Sequence, residues 1–262
     1  SGKVKLQICR NEGTVLEYVE QKEQELKENP ETLYEIINTR YEKATDKASQ
    51  MAYINKMYST VSNDPIIFAK ATVYANELAL TNDKSAKAFL KKAFGDQVID
   101  KETITSHETK SCKRSDKGLF NINISTKVKT IGPKAFQGNE NLQYINLLPT
   151  LESIKNEAFK GCKKLTFVNL NNKMTVIEDS TFEKCRDLVY VRLPDNLTCI
   201  GESAFKECTS LESIYIPPSV QIIKSNAFKG CKNLVNVEMS SKTKYDVKRT
   251  FPPKSGRPKF YD

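Results

Sequence analysis

The chain has 262 residues, 39% of them hydrophobic and 28% charged, which suits two soluble domains; no apolar run reaches the ~20 residues of a membrane span. The formal net charge of +9 is uneven, with 15 Lys/Arg against 16 Asp/Glu up to residue 105 and 26 against 16 thereafter. A single histidine excludes His-pair metal motifs, and neither a Gly-rich phosphate loop nor a G-x-S-x-G elbow occurs, so no catalytic constellation emerges and no cofactor is expected.

Residues 14–95 read as five short helices. Thr14-Val15-Leu16-Glu17 is a capping-box pattern ahead of Val19 and Leu26. Asn29-Pro30 starts a second helix, with a cap residue and Pro at the first position, and Leu33, Ile36, Ile37 and Tyr41 give it an apolar stripe. A third spans Thr45 to Tyr58. Asp64-Pro65 opens a fourth, carrying Ala71, Tyr74 and Leu78. Asn82-Asp83 opens a fifth with Ala86, Phe89, Leu90 and Phe94, stopped by Gly95. Short helices with brief connections suggest an antiparallel bundle, an all-α helical domain over residues 1–105. Residues 96–118 are polar and read as a junction, in which His107 is a solvated loop residue.

From Ile131 onward the chain repeats itself. Phe136, Phe159, Phe182, Phe205 and Phe228 stand 23 residues apart, each five residues after an Ile (Ile131, Ile154, Ile177, Ile200, Ile223). Leu142, Leu165, Leu188, Leu211 and Leu234 keep the same step, as do Cys162, Cys185, Cys208 and Cys231, with Asn139 in the first copy. Such self-similarity marks a solenoid, and the period lies in the leucine-rich-repeat range. Leu-x-x-Ile-x-Leu places apolar side chains on one face of a short strand, so parallel strands are expected at 142–147, 165–170, 188–193, 211–216 and 234–239. Ala-Phe-x-x-Cys has helical spacing, which points Phe and Cys inward from a short helix or 3₁₀ turn. Leu119, Ile122 and Ile124 fall 23 residues before Leu142, Ile145 and Leu147, giving a half coil at 119–130 ahead of five repeats over about 131–245. Thr250-Phe251 keeps the phase in a degenerate last coil at about 246–262, so the second domain covers 106–262.

The block Ile200-Gly201-Glu202-Ser203-Ala204-Phe205-Lys206-Glu207-Cys208-Thr209-Ser210-Leu211, followed by Ile214, Ile216 and Pro217, resembles the BspA-like, Treponema-type leucine-rich repeats. The resemblance implies an α/β repeat protein, a right-handed solenoid. It also implies a surface-exposed or secreted protein engaged in adhesion to host matrix proteins or to cell-surface partners. The asparagine of commoner repeat types does not recur: Thr150, Lys173, Asn196, Ser219 and Lys242 stand three residues past the strands. The four-Cys column reads as buried small hydrophobes rather than a zinc site, since there is no CxxC pair.

Strand alternation puts Tyr144, Phe167, Tyr190, Ser213 and Asn236 in one outward column, beside Asn123, Asn146, Asn169, Arg192, Tyr215 and Glu238. Tyr144, Phe167, Tyr190, Arg192 and Tyr215 are the candidate binding residues for a protein partner, because Tyr and Arg dominate interface hot spots. The competing explanation is that the helical domain folds over this face. Lys160, Lys163, Lys164, Arg186, Lys206, Lys229 and Lys232 form a basic stripe near the Phe turns, an alternative site for anionic polymers; no nucleic-acid motif accompanies it. A third reading is an enzyme whose site lies in the helical domain, with the repeats as a targeting arm. Asn123-Ile124-Ser125 and Asn196-Leu197-Thr198 fit the glycosylation sequon, which matters only in a secreted eukaryotic protein.

Overall fold

The computed structural model describes residues 43–60, 65–94, 98–106, 109, 120–246, 250–252 and 259–261. The two expected helices upstream of residue 43 and His107 lie outside the described residues.

Three helices lie wholly among the described residues: α1 (Lys47–Thr60), α2 (Pro65–Leu80) and α3 (Lys84–Phe94). Their starts follow from local chemistry. The Asp46 carboxylate accepts from Ser49 N at 2.8 Å, and the Asp83 carboxylate accepts from Ala86 N at 2.8 Å, each satisfying an orphan amide of the first turn. Asn82, at φ 64°, ends α2 in the left-handed conformation that Asn tolerates. Ala86, Phe89, Leu90, Ala93 and Phe94 form one buried stripe on α3.

The rest of the described chain winds into a β-solenoid with two parallel ladders. The first holds β1 (Val98–Ile99), β3 (Phe120–Ile124), β5 (Leu142–Asn146), β7 (Phe167–Asn169), β9 (Tyr190–Arg192), β11 (Ser213–Tyr215), β13 (Asn236–Ser240) and β15 (Lys259–Tyr261). It is hydrogen-bonded as three segments, β1-β3-β5, β7-β9 and β11-β13-β15, each parallel throughout. The strands fall at the expected positions but mostly begin later, because the leading Leu of each repeat turns into the core before the ladder starts. The ladder also begins earlier than the half coil: Val98 pairs with Asn123 and Ile99 with Ile124, within the stretch read as a polar junction and ahead of residue 106.

A second ladder runs along the Ile column, hydrogen-bonded as two segments: β2 (Thr103–Ile104), β4 (Thr130–Ile131) and β6 (Ser153–Ile154), then β8 (Val176–Ile177), β10 (Cys199–Ile200), β12 (Ile222–Ile223) and β14 (Lys244–Tyr245). Each strand is two residues long, too short for alternation to register in sequence.

The Ala-Phe-x-x-Cys segment is neither α-helix nor 3₁₀. It is a run of tight turns in which two columns take positive φ: Lys134, Glu157, Ser180, Ser203 and Asn226 at 54–60°, and Gly138, Gly161, Lys184, Glu207 and Gly230 at 60–79°. Left-handed residues every few positions stop a helix from propagating. Only the second column advertises this in sequence, through its three glycines. The turns aim alternate amides at the next coil: Lys134 N, Phe136 N and Gly138 N donate to Asn156 O, Ala158 O and Lys160 O at 3.1, 2.7 and 2.8 Å.

Inside, six phenylalanines stack. Phe136, Phe159, Phe182, Phe205, Phe228 and Phe251 have successive ring centroids 5.1–5.5 Å apart and interplanar angles of 3–11°. The last coil is therefore in register at its turn, and Tyr245 meets Phe251 edge-on at 5.6 Å. The Leu, Ile and Val columns complete one continuous core. Each Cys Sγ donates to the Phe carbonyl of the preceding coil: Cys162 to Phe136 O, Cys185 to Phe159 O, Cys208 to Phe182 O and Cys231 to Phe205 O, at 3.0–3.2 Å. Burial pushes all four thiols up, Cys231 to about 12, so they stay protonated donors at neutral pH.

Candidate functional site

The outward face of the first ladder is divided. Its early half meets the helices. Phe167 is 1% exposed and belongs to a second apolar cluster with Met51, Ile54, Ala71, Ala75, Leu78, Phe89, Leu90 and Phe94. Tyr144 and Tyr190 are half-buried against the same cluster, and the Tyr144 ring lies 5.1 Å from that of Phe167. The asparagine column is engaged in the same way. Asn146 and Asn76 of α2 exchange amide hydrogen bonds at 2.7 and 3.0 Å, and Asn146 also donates to Asn123 at 3.0 Å. Asn121 donates to Ala93 O of α3 at 3.3 Å, and Asn169 to Thr72 Oγ1 of α2 at 3.4 Å.

Three of the five candidate residues, Tyr144, Phe167 and Tyr190, thus face the chain's own helices. The other two, Arg192 and Tyr215, are exposed, Tyr215 to 51%. Ser213, Asn236 and Glu238 beside them are exposed as well. Tyr190 lies half-buried at the edge of the helical cluster, where burial raises its phenol against the pull of Arg192.

At that edge the C-terminal part of α2 and the ends of the strands enclose a cleft of about 350 Å³. Glu77 and Leu80 line it from the helix; Pro149, Lys173 and Arg192 line it from the coils. Glu77 is exposed at its edge of the cleft, yet partial desolvation there raises its carboxyl, and the Arg192 charge opposes that shift. The sequence offered one signal for Glu77: it and Lys70 are the only charged residues of α2.

The basic stripe on the turn side is largely neutralised. Lys163 pairs with Glu140 at 2.7 Å, Lys164 with Asp187 at 3.2 Å and Arg186 with Glu207 at 3.9 Å. Lys160 and Lys206 flank Glu183 at 3.1 and 3.2 Å. Burial disfavours the Glu183 charge, yet the hydrogen bonds from Lys160, Ser180 and Lys206 outweigh it and hold the carboxyl below its ordinary range. Lys229 and Lys232 have no ion pair among the described residues. No group of three or more His, Cys, Asp or Glu suited to a metal occurs among the described residues. No described helix is long and apolar enough to cross a membrane.

No curated protein matches the chain in sequence. Among solved structures, a leucine-rich cell surface protein from Faecalibacterium prausnitzii is 28% identical with a TM-score of 0.44; the match covers 57% of this chain and 44% of that one. The leucine-rich repeat protein of T. pallidum is 27% identical with a TM-score of 0.45, covering 63% of this chain and 67% of that one. One from Bacteroides ovatus is 26% identical with a TM-score of 0.37, covering 48% and 41%. The chain thus spans less than half of the Faecalibacterium protein. The model of the BspA-type leucine-rich repeat region matches residues 105–235 in six copies, half of the chain. With its Phe stack and 23-residue coils, the chain belongs to the BspA-type leucine-rich repeat family.

Proposed function

We propose that the chain is a non-enzymatic recognition module that holds a protein partner on its outward strand face. Within the site Tyr144, Phe167, Tyr190, Arg192 and Tyr215, the first three seat the helices and the last two meet the partner. The observation that carries this reading is the pair of large, exposed side chains, Arg192 and Tyr215, on a rigid ladder beside the helix-filled half. Exposed aromatics gain little in folding, and side chains on a preorganised sheet lose little entropy on binding. Family membership supports protein binding or adhesion to matrix or cell-surface proteins. The helices then form an all-α unit that covers the early strands of a right-handed coil. A charge-driven polymer binder fits less well, because most of the basic stripe is already paired. The test is binding of purified matrix and cell-surface proteins to the full chain and to its Arg192→Ala/Tyr215→Ala variant. Loss of at least tenfold in affinity for a bound partner is expected. Unchanged affinity for every partner would place the site elsewhere.

A further inference from the structure

The cleft between α2 and the strand ends brings two cations, Lys173 and Arg192, into one concave site. On the turn side most cations sit within 4 Å of a carboxylate. Lys173 and Arg192, which line the cleft, form no ion pair among the described residues. The support beneath them is fixed. Asn171 donates to Leu148 O at 3.0 Å and Leu151 O at 2.9 Å, and its side-chain oxygen accepts from Lys173 N at 2.8 Å. Asn172 accepts from Asp195 N of the following coil at 3.2 Å. Two coils thus brace the loop that carries Lys173, while Arg192 stands on β9. An apolar wall completes the cleft: Leu80 at the end of α2 is 46% exposed and faces the same space as Pro149.

We propose that this cleft takes an acidic side chain of an extended polypeptide, its carboxylate between Lys173 and Arg192 and a neighbouring apolar side chain against Leu80 and Pro149. The inference rests on the recognition reading above and names the chemistry of its partner. A volume of about 350 Å³ holds one or two side chains rather than a folded element. Two cations against the one lining carboxylate, Glu77, leave a surplus positive charge, so a carboxylate completes the balance and a basic segment does not. Arginine presents a fork that matches a carboxylate, and lysine adds a point charge on the other side. Glu77 sets a limit on affinity, because its own charge competes for Arg192.

The experiment uses the full chain and three fluorescein-labelled peptides read by fluorescence polarisation: Leu-Asp-Leu-Asp-Leu with an amidated C-terminus, the Leu-Asn-Leu-Asn-Leu amide, and the latter with a free C-terminal carboxylate. The acidic amide is expected to bind at least tenfold more tightly than the Asn amide, and less tightly as salt is raised. Lys173→Gln should weaken it at least tenfold, and Glu77→Gln should tighten it severalfold. Both side chains are exposed, so the variants keep the fold, which a thermal melt checks. Equal binding of the two amides, no binding of either, or weakening by Glu77→Gln would overturn the proposal. Binding of the free-acid Asn peptide as tight as that of the acidic amide would also overturn it, by assigning the cleft to a chain terminus. Tyr215→Ala separates the two readings. If it weakens a protein partner while the acidic peptide fails to bind, the strand-face reading stands and the cleft reading falls. If it leaves the partner untouched while Lys173→Gln weakens the peptide, the reverse holds.

Discussion

The turn side and the strand side of the coil are built on opposite rules. On the turn side the inward columns repeat, because each buried side chain packs against the same column one coil away. Phe182 stacks between Phe159 and Phe205, and Cys185 donates to the carbonyl of Phe159. On the strand side the outward columns do not repeat. They run Tyr144, Phe167, Tyr190 and then Ser213, Asn236. The aromatics stop where the helices stop, since Phe167 and Tyr190 are the last of the column to join the helical cluster. Periodicity therefore marks what the coil needs for itself, and its failure marks what something else must cover.

The largest loss of stability is expected at the Phe stack. Phe182→Ala should cost about 4–5 kcal/mol, the upper range for a buried Phe truncation, because both ring neighbours lose contact. Phe251→Ala, with one stacked neighbour and one edge contact, should cost less. Denaturant melts of the two variants check the order; equal losses would mean that the stack is not the organising element.

Next comes the covered half of the strand face. Phe167→Ala should cost about 3 kcal/mol although the side chain points outward, because it is enclosed by the helices. The loss should also be local. Hydrogen exchange is expected to show weakened protection in residues 65–94 with protection kept in residues 190–240. Uniform loss across both regions would mean that helices and coils unfold as one unit.

A smaller effect belongs to the ion pairs of the turn side. Glu183 is 5% exposed between two lysines that reach water. Glu183→Gln should cost about 1–2 kcal/mol, below the cost of breaking a fully buried pair. The carboxyl is held below its ordinary value of 4.5, so its contribution is complete at neutral pH. It is lost as the pH falls from 4.5 through the lower folded value. Wild type and variant should converge in stability at acid pH; a constant gap would assign the effect to packing instead.

These differences also explain what was legible. The Phe, Leu and Ile columns gave the coils and their strands, and Asp83 and Pro65 placed helix starts, because those signals arise from contacts within a repeat or a single turn. The left-handed turns were half concealed, since Lys184 and Glu207 occupy the column that Gly138, Gly161 and Gly230 mark. The two-residue second ladder left no alternation to read, and the coil at Val98–Ile104 lacks the Phe and Leu columns altogether. Coverage of Tyr144, Phe167 and Tyr190 was one of two readings of the same aromatics, and only tertiary contact separates them. The cleft joins Glu77 to Lys173 and Arg192 across long stretches of chain, so no local pattern announced it.

The smallest expected effect is the sharpest test of the divided face. Tyr215 sits one coil beyond Arg192 and two beyond Asn169, in the same outward column, and is 51% exposed. If the open half were held by the same kind of packing as the covered half, truncating it would resemble truncating Phe167. The geometry argues otherwise: no helix of the apolar cluster includes it, and its neighbours Ser213 and Glu238 are exposed. Tyr215→Ala should therefore change stability by no more than about 0.5 kcal/mol, as surface substitutions do. A melt within that margin, together with the Phe167→Ala loss, separates the residue that seats the helices from the residue kept for a partner. A loss near that of Phe167→Ala would mean that the helices reach further along the ladder and that the open face is smaller than the Arg192–Tyr215 pair suggests.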